Sequence, residues 1–170
     1  AKAYRYNKQL VGQPDLKNFP RKQPRMKTGT EQRLRVGYVS SDLRDHAVGF
    51  ALSEVLELHD KRSVEVFAYY CGEPRTNDAT QERIKIAVDS WRDITGLSDI
   101  DAAAQIVADE IDILIDVNGY TKHARTGIFA FRPAPVIVNF CGYPGSMGSP
   151  YHQYIIADDQ IIPPENEIYF

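Results

Sequence analysis

From Leu34 onward, short apolar runs alternate with segments in which apolar residues recur every three or four positions, and polar or turn residues separate the two kinds of stretch. Leu34-Arg35-Val36-Gly37-Tyr38-Val39 predicts a strand that ends at the polar Ser40-Ser41-Asp42. Val48, Ala51, Leu52, Val55 and Leu56 then fall on one face of a helix that closes at Asp60-Lys61-Arg62. Residues 64–70 are β-branched and aromatic between charged residues and Gly72, which predicts a second strand. Asp78 with Gln81 three positions later predicts a capped helix around 79–88, and a weak third strand spans 91–94. Ser98 and Asp99 offer caps to a helix carrying Ile100, Ala103, Ala104 and Val107. The strongest strand signal is 111–117, ending in Asn118-Gly119-Tyr120; a short helix is expected over 125–131, and strands over 136–140 and 154–157. Strands alternating with helices imply an α/β fold, a Rossmann-like parallel sheet with right-handed crossovers.

Residues 1–33 do not share this pattern. Pro14, Pro20 and Pro24 stand among Lys, Arg, Gln and Asn with little apolar periodicity after Val11, so the stretch reads as an extended basic linker, and 34–170 as one domain. The linker carries +7 and the remainder −10, although the net charge is only −3. A basic arm can mark nucleic acid, but without interleaved aromatics or a folded basic face a solvated linker is the better reading, and nucleic acid is not the expected partner. A hydrophobic content of 43% with 25% charged residues is that of a soluble globular protein, and no stretch approaches the ~20 apolar residues of a membrane span or the core of a signal peptide. The two cysteines, Cys71 and Cys141, each follow an apolar run and read as buried free thiols, so a reducing, cytoplasmic setting is expected. The start at Ala1 and the stop at Phe170 in mid-pattern are expected of a piece of a longer protein.

In an open parallel sheet the loops leaving the carboxyl ends of the strands converge on one rim, and ligands bind there. That rim would gather Asp42 and His46, then Asn118, Tyr120, Lys122 and Arg125, then the glycine-rich Gly142-Tyr143-Pro144-Gly145-Ser146. Close to a helix N-terminus, His46 is expected to be a neutral ring able to accept a proton or hold a hydroxyl. The plainer alternative is that Asp42 or Asp45 caps the helix and His46 faces water. Lys122 and Arg125 could bind phosphate or carboxylate groups or be helix-flanking charges; His123 reads as a solvated loop residue, and His59 and His152 have no functional context. The first turn lacks the G-x-G-x-x-G of dinucleotide binding, and Asp42 with His46 falls short of a metal-ligand set.

The ordered series Leu34 to Asp42, His46, Asn118-Gly119-Tyr120-Thr121-Lys122, Arg125, Phe129-Ala130, Arg132-Pro133-Ala134-Pro135 and Gly142-Tyr143-Pro144-Gly145 resembles the catalytic region of the O-GlcNAc transferase and SPINDLY family, glycosyltransferase family 41, including its bacterial tetratricopeptide-containing members. The resemblance implies a GT-B enzyme of two Rossmann-like lobes that moves a sugar from a nucleotide donor to Ser or Thr of proteins. This chain would be the N-terminal lobe, preceded by helical repeats and followed by a C-terminal lobe that holds most of the nucleotide. It further implies His46 and Asp42 as catalytic residues at the sugar and acceptor end of the cleft, with Tyr120, Lys122, Arg125, Gly142 and Tyr143 binding substrate. No cofactor and no metal are implied beyond the sugar nucleotide, with UDP-GlcNAc foremost and GDP-fucose and UDP-glucose as alternatives. The isolated lobe would be inactive. A different class of function stays open beside this one: a non-catalytic scaffold that binds peptide or nucleotide. The chain departs from animal members in having His46-Ala47-Val48 where they have His-Pro-Thr, and Cys141 where leucine is common.

Overall fold

In the computed structural model, which describes residues 2–11, 14, 16–17, 19–20 and 33–170, six strands form one parallel sheet. They are β1 (Leu34–Ser40), β2 (Val64–Tyr70), β3 (Ser90–Asp93), β4 (Ile113–Asp116), β5 (Val136–Phe140) and β6 (Tyr154–Ile156), in the order β3-β2-β1-β4-β5-β6. The helices are α1 (Lys2–Val11), α2 (Ala47–Glu57), α3 (Ala79–Ala87), α4 (Asp99–Ala108) and α5 (Thr126–Ala130). The chain builds outward from β1 through β2 to β3, then returns to place β4 on the other side of β1. This reversal opens a crevice above the carboxyl ends of β1 and β4.

Alternate residues of the strands feed two cores. Val36, Tyr38, Val66, Ala68 and Tyr70 pack with Leu52 and Leu56 of α2 and with Ile84 of α3. On the opposite face Val39, Phe67, Tyr69, Leu114 and Ile137 pack with Ala102, Ala103 and Ile106 of α4 and Ile128 and Phe129 of α5. Each large side chain withdrawn from water here contributes about 1.5–3 kcal/mol, and together they make the sheet a rigid platform for its rim. Within β1, Gly37 lets the Tyr69 ring and Leu114 close over the strand; a Cβ there would come 2.9 Å from the ring.

The predicted strands and helices of 34–157 are all present, with ends displaced by a few residues. Asp78 caps α3 through the N–H of Gln81, but the Gln81 side chain reaches the carbonyl of Leu43 rather than closing a capping box. Three readings change. Residues 2–11 form a helix, not an extended linker, because Asn7 is buried and joined to Tyr120 and Tyr151; the reading of 21–32 as linker lies outside the described residues. Cys71 is buried as expected, its thiol pushed up to about 12 by burial, whereas Cys141 is exposed, because the chain leaves β5 there with a φ of 78°. A 3₁₀ segment, Pro164–Tyr169, closes the chain and was not foreseen. Among the described residues no helix is long and apolar enough to cross a membrane.

Candidate active site

The β1 loop and the β4 loop are fastened to each other across the crevice by one buried side chain. Asn118 accepts the N–H of Ser41 at 2.7 Å, and the two hydrogens of its amide nitrogen are shared among Asp42 Oδ2 at 2.9 Å, Ser41 Oγ at 3.0 Å and Thr121 Oγ1 at 3.0 Å. The β4 loop is shaped by Asp116, whose Oδ1 accepts the N–H groups of Asn118 and Gly119 at 3.1 and 2.9 Å. This is the local turn that aspartate favours, and it asks for a positive φ that Gly119 supplies at 58°. The β5 loop must also come close, and a Cβ on Gly142 would collide with the carbonyl oxygen of Val117.

These loops enclose a cavity of about 360 Å³ whose walls include Asp42, Arg44, His46, Glu73, Arg75, Lys122, His123 and Gly142. His46 is itself the N-cap of α2, with extended dihedrals, and its Nδ1 accepts the N–H of Val48 at 3.2 Å. An imidazole nitrogen that accepts is unprotonated, so the ring's hydrogen sits on Nε2 and His46 presents a donor. The cap therefore comes from His46 and not from Asp42 or Asp45. The N–H of Asp45 is held by both carboxylate oxygens of Asp78, at 3.0 and 2.9 Å, which ties the His46 turn to the start of α3. Burial works against the Asp78 anion, yet the N–H donors of Asp45 and Gln81 prevail and hold its carboxyl below the usual carboxylate range.

Asp42 is buried beside this cap, paired with Arg44 at 3.3 Å and with Asn118, and retains lone pairs toward the cavity. Lys122 reaches the same wall with an ammonium that has no hydrogen-bonded partner among the described residues. The pocket thus combines a fixed donor, a buried carboxylate and an available cation. Such a set can orient a hydroxyl, accept its proton and stabilise negative charge.

The remaining expected residues lie elsewhere. Arg125 is turned under the β3–α4 connection, where it donates to Asp99 at 2.8 and 2.6 Å and to the carbonyls of Ile94 and Leu97. Its donors bolt the scaffold and do not line the cavity. Tyr120 points toward α1: its hydroxyl donates to the Met147 carbonyl at 2.7 Å and accepts from Asn7, with Tyr6 and Tyr143 edge-on to its ring. Burial raises its phenol above the ordinary tyrosine value. Tyr143 covers Gly119 and steadies this cluster outside the cavity wall. Sequence reasoning missed Arg44, Glu73, Arg75 and His123 as wall residues, although Glu73 and Arg75 follow β2, whose loop leaves a strand's carboxyl end and belongs on the rim by topology alone. It also missed His152, whose side chain is 4% exposed and whose Nε2 lies 3.1 Å from Asp116. Among the described residues no group of three or more His, Cys, Asp or Glu is placed to hold a metal ion.

The chain is 40% identical over 143 residues to the probable UDP-N-acetylglucosamine–peptide N-acetylglucosaminyltransferase SEC of Arabidopsis thaliana, covering 82% of this chain and 14% of that protein. It is 44% identical over 131 residues to the UDP-N-acetylglucosamine–peptide N-acetylglucosaminyltransferase of Caenorhabditis elegans, covering 75% of this chain and 11% of that one. The solved structure of a Thermobaculum terrenum O-GlcNAc transferase mutant superposes with a TM-score of 0.84 at 32% identity, over 98% of this chain and 31% of its own. The chain therefore spans only a small fraction of these relatives, and its fold class is the Rossmann-like α/β lobe of GT-B glycosyltransferases. The model of glycosyl transferase family 41 matches residues 12–170, and the chain belongs to that family.

Proposed function

We propose that this chain forms the acceptor-facing half of an inverting protein O-glycosyltransferase site, which moves N-acetylglucosamine from UDP-GlcNAc to Ser or Thr of proteins. The observation that carries the reading is the pairing of His46, an Nε2–H donor, with Asp42, a buried carboxylate on the same cavity wall. In this scheme His46 donates to oxygen and orients, because its Nδ1 is already taken by Val48. Asp42 accepts the proton of the acceptor hydroxyl. The hydroxyl oxygen attacks the anomeric carbon while the carbon–oxygen bond to the nucleotide diphosphate breaks on the opposite face. Lys122 supplies positive charge at the rim, and Gly142 lets the sugar approach the backbone. The nucleotide itself would be held by a C-terminal lobe in cis, and no protein-held metal takes part.

The test is made on the natural protein, with labelled UDP-GlcNAc, GDP-fucose and UDP-glucose and a protein acceptor. Label is expected on protein from UDP-GlcNAc, and His46→Ala is expected to cut the rate at least about tenfold, since misplacing a reacting group by about 1 Å can cost ~10²-fold. Binding of donor or peptide without any transfer of label would replace this reading with that of a scaffold. Residues 1–170 alone are expected to turn over nothing, and robust turnover by them would remove the second lobe from the scheme.

A further inference from the structure

We propose that His152 is a positioning residue for the transfer site: locked between Ser149 and Asp116, it fixes the carboxylate that shapes the Asn118–Lys122 loop and, through Asn118, Asp42. The inference rests on Asp42 and His46 being the transfer site.

The direction of each hydrogen bond follows from counting lone pairs. Ser149 Oγ accepts the N–H groups of Tyr151 at 3.3 Å and of His152 at 3.1 Å, so both of its lone pairs are taken. Its hydrogen is therefore donated to His152 Nδ1, 2.6 Å away. The ring's own hydrogen then sits on Nε2 and is donated to Asp116 Oδ2 at 3.1 Å. Serine, histidine and aspartate in this sequence also make the hydrolytic triad, but there the serine oxygen must be free to attack. Here it is occupied, and what the relay delivers is geometry.

The ring cannot turn away, because it is packed between Phe129 and Tyr151 with centroids 5.2 and 5.4 Å off. Asp116 is 1% exposed and spends its other oxygen on the N–H groups of Asn118 and Gly119. Asn118 carries the constraint to Asp42 Oδ2 and Ser41. One continuous set of bonds thus joins two cavities. Ser149 and His152 stand in the wall of a separate space of about 930 Å³ between α1, β6 and the 3₁₀ segment, and Asp42 and His46 in the wall of the smaller one. Without the Nε2–H of His152, the Asp116 carboxylate loses the donor that sets its rotation.

The experiment compares His152→Leu with His152→Gln in the natural protein. A glutamine amide can still donate to Asp116 and accept from Ser149, whereas leucine can do neither. Imidazole nitrogen resonances of the unsubstituted protein should report a single Nε2–H tautomer for His152, assigned by its loss in the glutamine variant. Hydrogen exchange at the Asn118 and Gly119 amides should quicken about tenfold or more in the leucine variant and stay near the natural rate in the glutamine variant. In the transfer assay the leucine variant should lose roughly 10–100-fold in kcat, with acceptor KM changed less than about threefold, and glutamine should recover most of it. A protonated ring or a mixture of tautomers, leucine matching the natural protein, or both variants equally impaired would each overturn the proposal. Tautomer and exchange need no turnover, so they decide the positioning role even if the protein transfers no sugar. They also decide it from the natural and glutamine proteins if the leucine variant does not fold.

Discussion

Two buried aspartates stand at the ends of adjacent strands, and they differ in what is left over. Asp116, the last residue of β4, is turned wholly inward: two backbone N–H groups fill one oxygen, a buried histidine holds the other, and it lines neither cavity. Asp42, just past β1, has Arg44 on one oxygen and Asn118 on the other, and it borders an open cavity with capacity to spare. Both are carboxylates withdrawn from water on one crevice. Chemical availability is set by unspent lone pairs that border a cavity and not by burial. The same contrast divides the cations, since the guanidinium of Arg125 is spent on Asp99 and two carbonyls while the ammonium of Lys122 has no hydrogen-bonded partner among the described residues.

The sharpest way to break this contrast is to delete the inward-turned member. Asp116→Leu strands two backbone donors and the His152 ring in the interior, and is expected to destabilise the protein by about 3–5 kcal/mol, read from urea denaturation. A loss below about 1 kcal/mol would mean that its partners find substitutes and that these bonds are not what makes it structural. Asp42→Asn keeps the shape and an acceptor for Asn118, so its stability should fall by no more than about 1 kcal/mol. Its transfer rate should drop about 10²-fold, ~2.7 kcal/mol in the barrier, if the carboxylate takes the proton. Equal rates for Asp42→Asn and the natural protein would leave Asp42 as scaffold like Asp116.

The smallest effect comes from Asp78, which holds backbone N–H donors as Asp116 does but lies near the surface. Asp78→Ala should cost about 1 kcal/mol, the usual value of an N-cap. Because its folded carboxyl titrates below the unfolded value of 3.8, that stability is present at pH values above 3.8 and is lost as pH falls through the lower folded value. Urea titrations of the natural protein and Asp78→Ala, run from pH 6 downward, should therefore converge in strong acid. A gap that stayed constant across that range would show that the charge of Asp78 contributes nothing.

What could be read from the sequence was what local pattern encodes. The run from Leu34 to Val39, the helical spacing of Val48 to Leu56 and the strand ending at Asp116 each carry their own period, and the alternation of strand and helix fixes a parallel sheet. The placing of Asp42, His46, Lys122 and Gly142 on one rim followed from that topology. The docking of α1 could not be read, because a single buried polar residue, Asn7, anchors it where an apolar stripe would be looked for. Arg125 looked like a ligand-binding cation because its consumers, Asp99 and two backbone carbonyls, are set by tertiary packing some 26–31 residues away in sequence. His152 looked idle for the same reason, since its partner Asp116 precedes it by 36 residues.

The anchoring of α1 also has a consequence in time. Asn7 makes its bonds to Tyr120 and Tyr151, 113 and 144 residues further along the chain. A helix of ten residues is only marginal in isolation. At about 5–20 residues added per second, a ribosome needs roughly 7–30 s after making Asn7 to reach Tyr151. Through that interval α1 lacks these two partners, and it settles on them only after the β4 and β5 loops have been made. Its arrival then reports that the β4 and β5 loops are already in place.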